Sequence, residues 1–326
     1  MNVNIGFIGL GKMGLPMAKN LLKNGYHVFG ADVNENALIE LQALGGDTGS
    51  MKDWIHKVQY IVLMLPSSAI VNKVVEEIIN SRSSGMLNDQ ESLMIIDMSS
   101  SYPADTKENS SKLEAYNIGL VDAPVSGGVK KAVDGSLTIM AGGSAEQFEK
   151  CKRLLHAMGS NISLVGPSGS GHLIKAINNY LSATHLLASC EAVQLLENFG
   201  VVPEKAVNVI NQSTGRNGST EYKFPSFILT ETYNSGFSLE LIKKDIGMAN
   251  QLFKDADAAT SLPQIVYQKF NEASNALDKE ADHTEINKFV SSYLLKRGIL
   301  NEENEEIVPG GSGSGNDVHP RSVRQF

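Results

Sequence analysis

The sequence predicts an α/β fold. A doubly wound sheet fills the N-terminal half, an all-helical domain follows, and a long interdomain helix joins them. Three observations carry this. Short apolar runs alternate with helical patterns from residue 3 to residue 165, as βαβ units do. From Pro203 onward the apolar spacing is helical and strand alternation stops. Between these regions, His172 to Asn198 contains no proline or glycine, and at ~1.5 Å per residue it would span roughly 40 Å.

Residues 3–8 (VNIGFI) read as the first strand. The motif Gly9-Leu10-Gly11-Lys12-Met13-Gly14 follows, then a helical pattern to Gly25, a second strand at 27–31 and Asp32 at its end. A GxGxxG motif is weak alone, but here it lies between strand and helix with an acid 18 residues past its last glycine. The first glycine permits the tight turn, the second lets a pyrophosphate approach the backbone, and the third lets helix and strand pack closely. The helix N-terminus offers unpaired N–H groups and a positive dipole end to the phosphates. Asp32 can accept hydrogen bonds from both ribose hydroxyls. It would repel a 2′-phosphate, and neither Val33 nor Asn34 supplies an arginine. The expected cofactor is therefore NAD rather than NADP, bound in a Rossmann-type domain.

The alternation continues. Residues 36–44 read as helix, 60–65 as a strand buried on both faces and ending at Pro66, 71–80 as helix, 93–98 as a strand running into Ser99, 106–116 as helix and 118–123 as strand. Ligands of such sheets bind at the carboxyl ends of the strands, which gathers Gly9 to Gly14, Leu65, Pro66 and Ser99 around one crevice. The Ser126-Gly127-Gly128 segment can be an ordinary loop or a nest of N–H groups that binds an anion. A strand at 136–141, a helix at 145–158 and a strand at 162–165 complete the sheet. Pro167, Gly169 and Gly171 mark the boundary. The domains expected are 1–166, 167–296 and an acidic, Gly/Ser-rich, disordered tail at 297–326.

The long helix is apolar on most of its circumference, so burial on every side is expected. Yet Lys175, Asn179 and Ser182 lie on one face, at i, i+4 and i+7. A lysine there either reaches solvent from the first turns or has a partner or a task. Further helices are expected at 203–212, 224–229, 238–253, 263–275 and 285–295.

Composition excludes several classes. The chain carries 28 Lys plus Arg against 36 Asp plus Glu, a net charge of −8 without a basic run, which argues against a nucleic-acid partner. No apolar run reaches the roughly 20 residues of a membrane span. The histidines lack ligand spacing and the two cysteines, Cys151 and Cys190, lack metal-type spacing, so no metal site and no disulfide are expected. With no targeting segment apparent, a cytoplasmic location is expected.

Five motifs now stand in order: GFIGLGKMGLPMAKNLLKNG, DMSS at 97–100, DAPVSGGVKKAVDGSLTIMAGG at 122–143, GSGHLIKAINNY at 169–180 and KKDIGMA at 243–249. Together, from about Asn4 to Leu295, the chain resembles the β-hydroxyacid dehydrogenase family, which includes 3-hydroxyisobutyrate dehydrogenases and tartronate semialdehyde reductases. The resemblance implies reversible NAD(P)-dependent oxidation of a short 3-hydroxy acid to its semialdehyde. It implies that Lys175 is the catalytic general acid/base, with Asn179 beside it. Ser126, Gly127 and Gly128 would hold the substrate carboxylate, Ser99 would lie near the nicotinamide, and Lys244 would close over cofactor and substrate. Lys243 and Lys244 are adjacent, so only one can face inward. Phosphogluconate-type relatives carry a histidine where this chain has Asn178, and imine reductases lack the lysine. A non-catalytic NAD-binding or scaffold module is the alternative reading. Arg216 and Lys223 could favour a substrate with a second anionic group or be solvated surface residues. A homodimer or homotetramer is expected.

Overall fold

A computed structural model describes residues 3–83 and 93–296; the segment expected to be a tail lies outside the described residues. In chain order, the first half comprises β1 (Asn4–Ile8), α1 (Gly14–Lys23), β2 (His27–Ala31), α2 (Glu35–Ala43), β3 (Asp47–Thr48), α3 (Met51–Trp54), β4 (Tyr60–Leu63), α4 (Ser68–Ser83), β5 (Leu93–Asp97), α5 (Pro103–Glu114) and β6 (Ile118–Asp122). Then come β7 (Val125–Ser126), α6 (Gly128–Asp134), β8 (Leu137–Gly142), α7 (Ala145–His156) and β9 (Gly159–Gly166).

The strand order is β3-β2-β1-β4-β5-β6-β8-β7, with β9 paired to β8. Pairing is parallel from β3 through β6, and the chain reverses its winding between β1 and β4, which opens a crevice at their carboxyl ends. Adjacent residues of a strand enter opposite layers. Phe7, Val62 and Ile96 join one apolar cluster, while Ile8, Ile61 and Ile95 join the other. Helices cover both faces, so these strands read as continuous apolar runs rather than alternating ones.

Beyond β6 the sheet becomes mixed, because β8 runs antiparallel to β6 and β7. Pro124 ends the ladder and Gly127, at φ 135°, turns the chain. The glycine segment also starts a seven-residue helix, α6, where the sequence left an ordinary loop or an anion-binding nest open and gave no helix.

The long helix, α8 (Ser170–Asn198), begins two residues earlier than expected. Its first turns pack on β6, β8, β9 and α5. Its remainder packs on α9 (Pro203–Asn211), α10 (Leu239–Asp255), α11 (Leu262–Ala276) and α12 (Ile286–Lys296). Leu186, Cys190, Phe224, Ile246 and Phe270 form the core of this second lobe. The helix expected at 224–229 is instead a π-helical segment, Ser219–Ile228, containing Pro225. Proline has no N–H to donate and crowds the carbonyl four residues back, so the wider spacing accommodates it.

The expectation that α8 is buried on every side is corrected. Leu173, Ile174, Leu181 and Leu195 are 42%, 41%, 46% and 48% exposed. Ile174, Leu181 and Leu195 recur at multiples of seven and form one stripe that the other described helices leave open. Both cysteines are free and buried. Among the described residues, no helix is long and apolar enough to cross a membrane, and no cluster of metal-binding side chains occurs.

Candidate active site

The glycine loop leaves β1 and enters α1. A Cβ at Gly14 would run into the Gly9 carbonyl, whereas one at Gly11 would meet nothing within 4 Å. The third glycine is thus required for packing, and the second faces open space where a phosphate could approach the backbone. No side chain caps the start of α1. Leu15 N–H already bonds the Gly11 carbonyl at 3.1 Å and Pro16 has no N–H, so what the helix start offers an anion is its positive dipole end. Lys12 is exposed and Met13 half-buried at the rim. The Asp32 carboxylate receives N–H bonds from Leu10, on one oxygen, and from Asn34 at 2.7 Å, on the other. These hold it beside the loop, and Val33 is fully exposed next to it. The loop, the uncapped helix and the fixed carboxylate fit the pyrophosphate and ribose of a dinucleotide.

The strand ends form the floor. Leu65 N–H donates to Ser99 Oγ at 2.9 Å, and Ser99 N–H donates to Asp97 Oδ1 at 3.0 Å. Ser99 is buried; its hydroxyl stitches the end of β4 to that of β5.

Two residues that sequence reasoning did not single out seat α8. Asp122, fully buried at the end of β6, accepts from Gly169 N–H at 2.8 Å and His172 N–H at 3.0 Å. It satisfies first-turn donors and places a negative charge at the positive end of the helix. His172 donates through Nε2 to the Ser99 carbonyl at 3.2 Å, and its Nδ1 pairs with the Thr106 hydroxyl at 2.8 Å. The start of α8 is therefore tied to both β5 and β6, which sets where Lys175 projects. The only sequence signal was an acid at the end of an apolar strand, inside a motif noted for its glycines.

One turn past His172, Lys175 is half-buried and makes no hydrogen bond or ion pair among the described residues. Burial holds its ammonium below the usual lysine range; the nearby Asp245 carboxylate opposes this and Lys244 adds to it. Asn179, the next residue of the face, donates to Asp245 Oδ2 at 2.6 Å. The other Asp245 oxygen, buried and without a hydrogen bond, lies 3.4 Å from Lys244 Nζ. Lys244 crosses the crevice from α10 and donates to the carbonyls of Pro66 at 3.1 Å and Ser100 at 3.3 Å. Its neighbour Lys243 turns away to Glu240 and Ser274, so Lys244 is the inward member of the pair. At the far end of α10, the Tyr102 hydroxyl donates to Asp255, a second contact between the lobes. Ser126 is half-buried, and the two glycines after it are exposed with positive φ.

Ser182, the last residue of the stripe, accepts from Lys223 Nζ at 2.9 Å. Lys223 comes from the π-helical segment and is half-buried. Arg216 is exposed and paired with Glu221 at 3.5 Å. The two cations that sequence reasoning treated alike thus separate: one points inward and one sits on the surface.

A glycine loop between strand and helix, and a partly buried lysine on the helix that joins the lobes, are the features expected of a nicotinamide-dependent oxidoreductase. Comparisons with known proteins agree. Residues 4–166 match the NAD binding domain of 6-phosphogluconate dehydrogenase, and residues 169–290 match the model described as NAD-binding of NADP-dependent 3-hydroxyisobutyrate dehydrogenase. The chain is 34% identical to 2-(hydroxymethyl)glutarate dehydrogenase of Eubacterium barkeri, over 82% of this chain and 88% of that protein. It is 36% identical to human mitochondrial 3-hydroxyisobutyrate dehydrogenase, over 79% and 76% respectively. A structure of Mycobacterium tuberculosis 3-hydroxyisobutyrate dehydrogenase with L-serine superposes with a TM-score of 0.82 at 26% identity, covering 89% of this chain and 99% of that one. The chain belongs to the β-hydroxyacid dehydrogenase family. It is a dehydrogenase of the 3-hydroxyacid class that uses a nicotinamide dinucleotide.

Proposed function

We propose that this chain interconverts a short 3-hydroxy acid and its semialdehyde, with NAD preferred over NADP and Lys175 exchanging the proton of the substrate oxygen. The observation that carries the reading is a half-buried lysine without a hydrogen-bond partner among the described residues, near Asp245 and near Lys244, which itself reaches the Pro66 and Ser100 carbonyls at the strand ends. Gly9 to Gly14, the first turn of α1 and Asp32 would hold the dinucleotide, with Leu65, Pro66 and Ser99 at its edge. When bound, the dinucleotide supplies the hydride acceptor for oxidation and the donor for reduction.

The residues of the chain do the rest. Ser126 and the N–H groups of Gly127 and Gly128 bind the substrate carboxylate and orient the molecule. Neutral Lys175 accepts the hydroxyl proton during oxidation, and its ammonium returns it during reduction. Burial and Lys244 make the neutral amine accessible, while Asp245 keeps the ammonium accessible. Asn179 has one amide hydrogen committed to Asp245 and a second free to hold the substrate oxygen beside Lys175. Lys244, resting on the Pro66 and Ser100 carbonyls, closes the crevice and excludes water.

A spectrophotometric panel tests this, with 3-hydroxyisobutyrate, 3-hydroxypropionate, glycerate, L-serine and 2-(hydroxymethyl)glutarate, each with NAD and NADP. Turnover of at least one with NAD is expected. NADH binding without turnover on any of them overturns the reading. The exposed stripe of α8 supports assembly as a homodimer or homotetramer, because contiguous apolar surface marks contact sites; a monomeric mass by light scattering would refute that.

A further inference from the structure

Lys223 lies outside the machinery just described, yet its surroundings are unlike those of a surface lysine. It rises from the π-helical segment, is half-buried, and ends on Ser182 Oγ at 2.9 Å. Ser182 continues the face of α8 that carries Lys175 and Asn179. Two helical turns separate Lys175 from Ser182, about 10 Å along the axis. The charged and titratable groups around the Lys223 ammonium are Cys190, Asp282 and His283. Among the described residues none of them is in ion-pair contact with it, although the Asp282 charge favours the ammonium from a distance. Burial keeps Cys190 a neutral thiol and holds His283 below the usual histidine range. The Asp282 carboxylate is already spent on Ser235 Oγ at 2.8 Å, Gly236 N–H at 3.0 Å, Thr284 N–H at 3.0 Å and Thr284 Oγ at 2.6 Å.

A half-buried ammonium whose one direct contact is a hydroxyl, with its nearest carboxylate out of ion-pair range, keeps part of its desolvation cost. Arg216 shows the contrast: it is exposed and paired with Glu221. We infer that Lys223, with Ser182, forms a second anion subsite for a carboxylate, sulfonate or phosphate carried on the C2 substituent of a 3-hydroxy acid. The inference rests on the proposed 3-hydroxyacid reaction and names its substrate class: a dianion, its first carboxylate on the Ser126 loop and its second acid group on Lys223. A methyl substituent at C2 is too short to reach that far. Burial also lowers Lys223 to about 8, so the ammonium predominates at neutral pH, and an anion seated on it would raise that value again.

Two substrates with the same reacting core decide the matter: 3-hydroxyisobutyrate, with a methyl at C2, and 2-(hydroxymethyl)glutarate, with a carboxyethyl group there. The quantity read is the ratio of their kcat/KM values with NAD at pH 7. In the unaltered enzyme the dianion is expected to lead by about tenfold or more. Lys223→Gln should lower that ratio by about tenfold, chiefly through the KM of the dianion. Lys223→Arg, which keeps the charge, should preserve the preference. Equal kcat/KM for the two substrates in the unaltered enzyme overturns the inference without any variant. So does a ratio that Lys223→Gln leaves unchanged. Either result leaves the 3-hydroxyacid reading standing, whereas an enzyme that oxidises neither these nor any other 3-hydroxy acid removes both.

Discussion

The two walls of the crevice use different chemistry. On the α/β wall the working groups are fixed by the backbone: an open glycine, an uncapped helix start and a carboxylate held by two N–H bonds. On the helical wall the groups proposed to work are side chains: burial lowers Lys175 and Lys223, and Lys175 also feels the charges of Asp245 and Lys244. Backbone geometry tolerates little change but is insensitive to pH. A buried lysine cluster is tunable, and a single neighbouring charge can retune it. One wall is therefore suited to a constant cofactor, and the other to setting the substrate and the proton chemistry.

The largest test of this division is Lys175→Ala. Loss of a general acid/base costs about 10²- to 10⁴-fold in turnover. Oxidation by the variant should fall by that order, while NADH affinity, read by fluorescence titration, should stay within about twofold because the glycine loop is untouched. Near-normal turnover would take the proton chemistry away from α8. A loss of NADH affinity as large as the loss of rate would show that the walls do not act separately.

A smaller change is expected from Asp32→Asn on the opposite wall. The substitution removes the charge that would face a 2′-phosphate but keeps an acceptor for only one of the Leu10 and Asn34 N–H groups, which bond to different oxygens of Asp32. Like-charge juxtaposition costs several kcal/mol, so the ratio of kcat/KM for NADP to that for NAD should rise by about tenfold or more. The pH profile for oxidation should not move. An unchanged cofactor ratio would mean that Asp32 serves only to brace the turn.

The same division explains what could be read from the sequence. The glycine loop and Asp32 were legible because their geometry is local: strand, turn and helix follow in order, and each glycine has a backbone reason. The face carrying Lys175, Asn179 and Ser182 was legible because helical spacing places residues i, i+4 and i+7 together. What each side chain meets across the crevice was not. Asp122 and His172 lie 50 residues apart and meet only after β6 and α8 pack. Lys243 and Lys244 are indistinguishable until α10 is oriented, and Lys223 was indistinguishable from Arg216. The helix α6 was hidden because two glycines with positive φ look like a loop until the residues after them are seen to coil. Burial of α8 was overestimated because an apolar stripe does not say whether its cover comes from the same chain.

The finest test concerns pH and separates the two lysines beside each other in the mechanism. Oxidation needs Lys175 as the neutral amine, so kcat/KM for the hydroxy acid should rise with pH through the Lys175 pKa in the free enzyme. Lys244 is one of the causes that lower that pKa, and Asp245 works against it. Removing the cation in Lys244→Met should therefore move the rising limb to higher pH. Removing the anion in Asp245→Asn should move it to lower pH, even where both variants lose absolute rate through the lost contacts to Pro66, Ser100 and Asn179. Burial is the larger cause and is untouched in either variant, so each limb should move by only part of the total displacement from an ordinary lysine. Limbs that move in the same direction, or not at all, would mean that the titrating group is not Lys175. The reduction profile, which requires the ammonium, should fall as pH rises and should move in step with the oxidation limb in each variant, because a single group carries the proton in both directions.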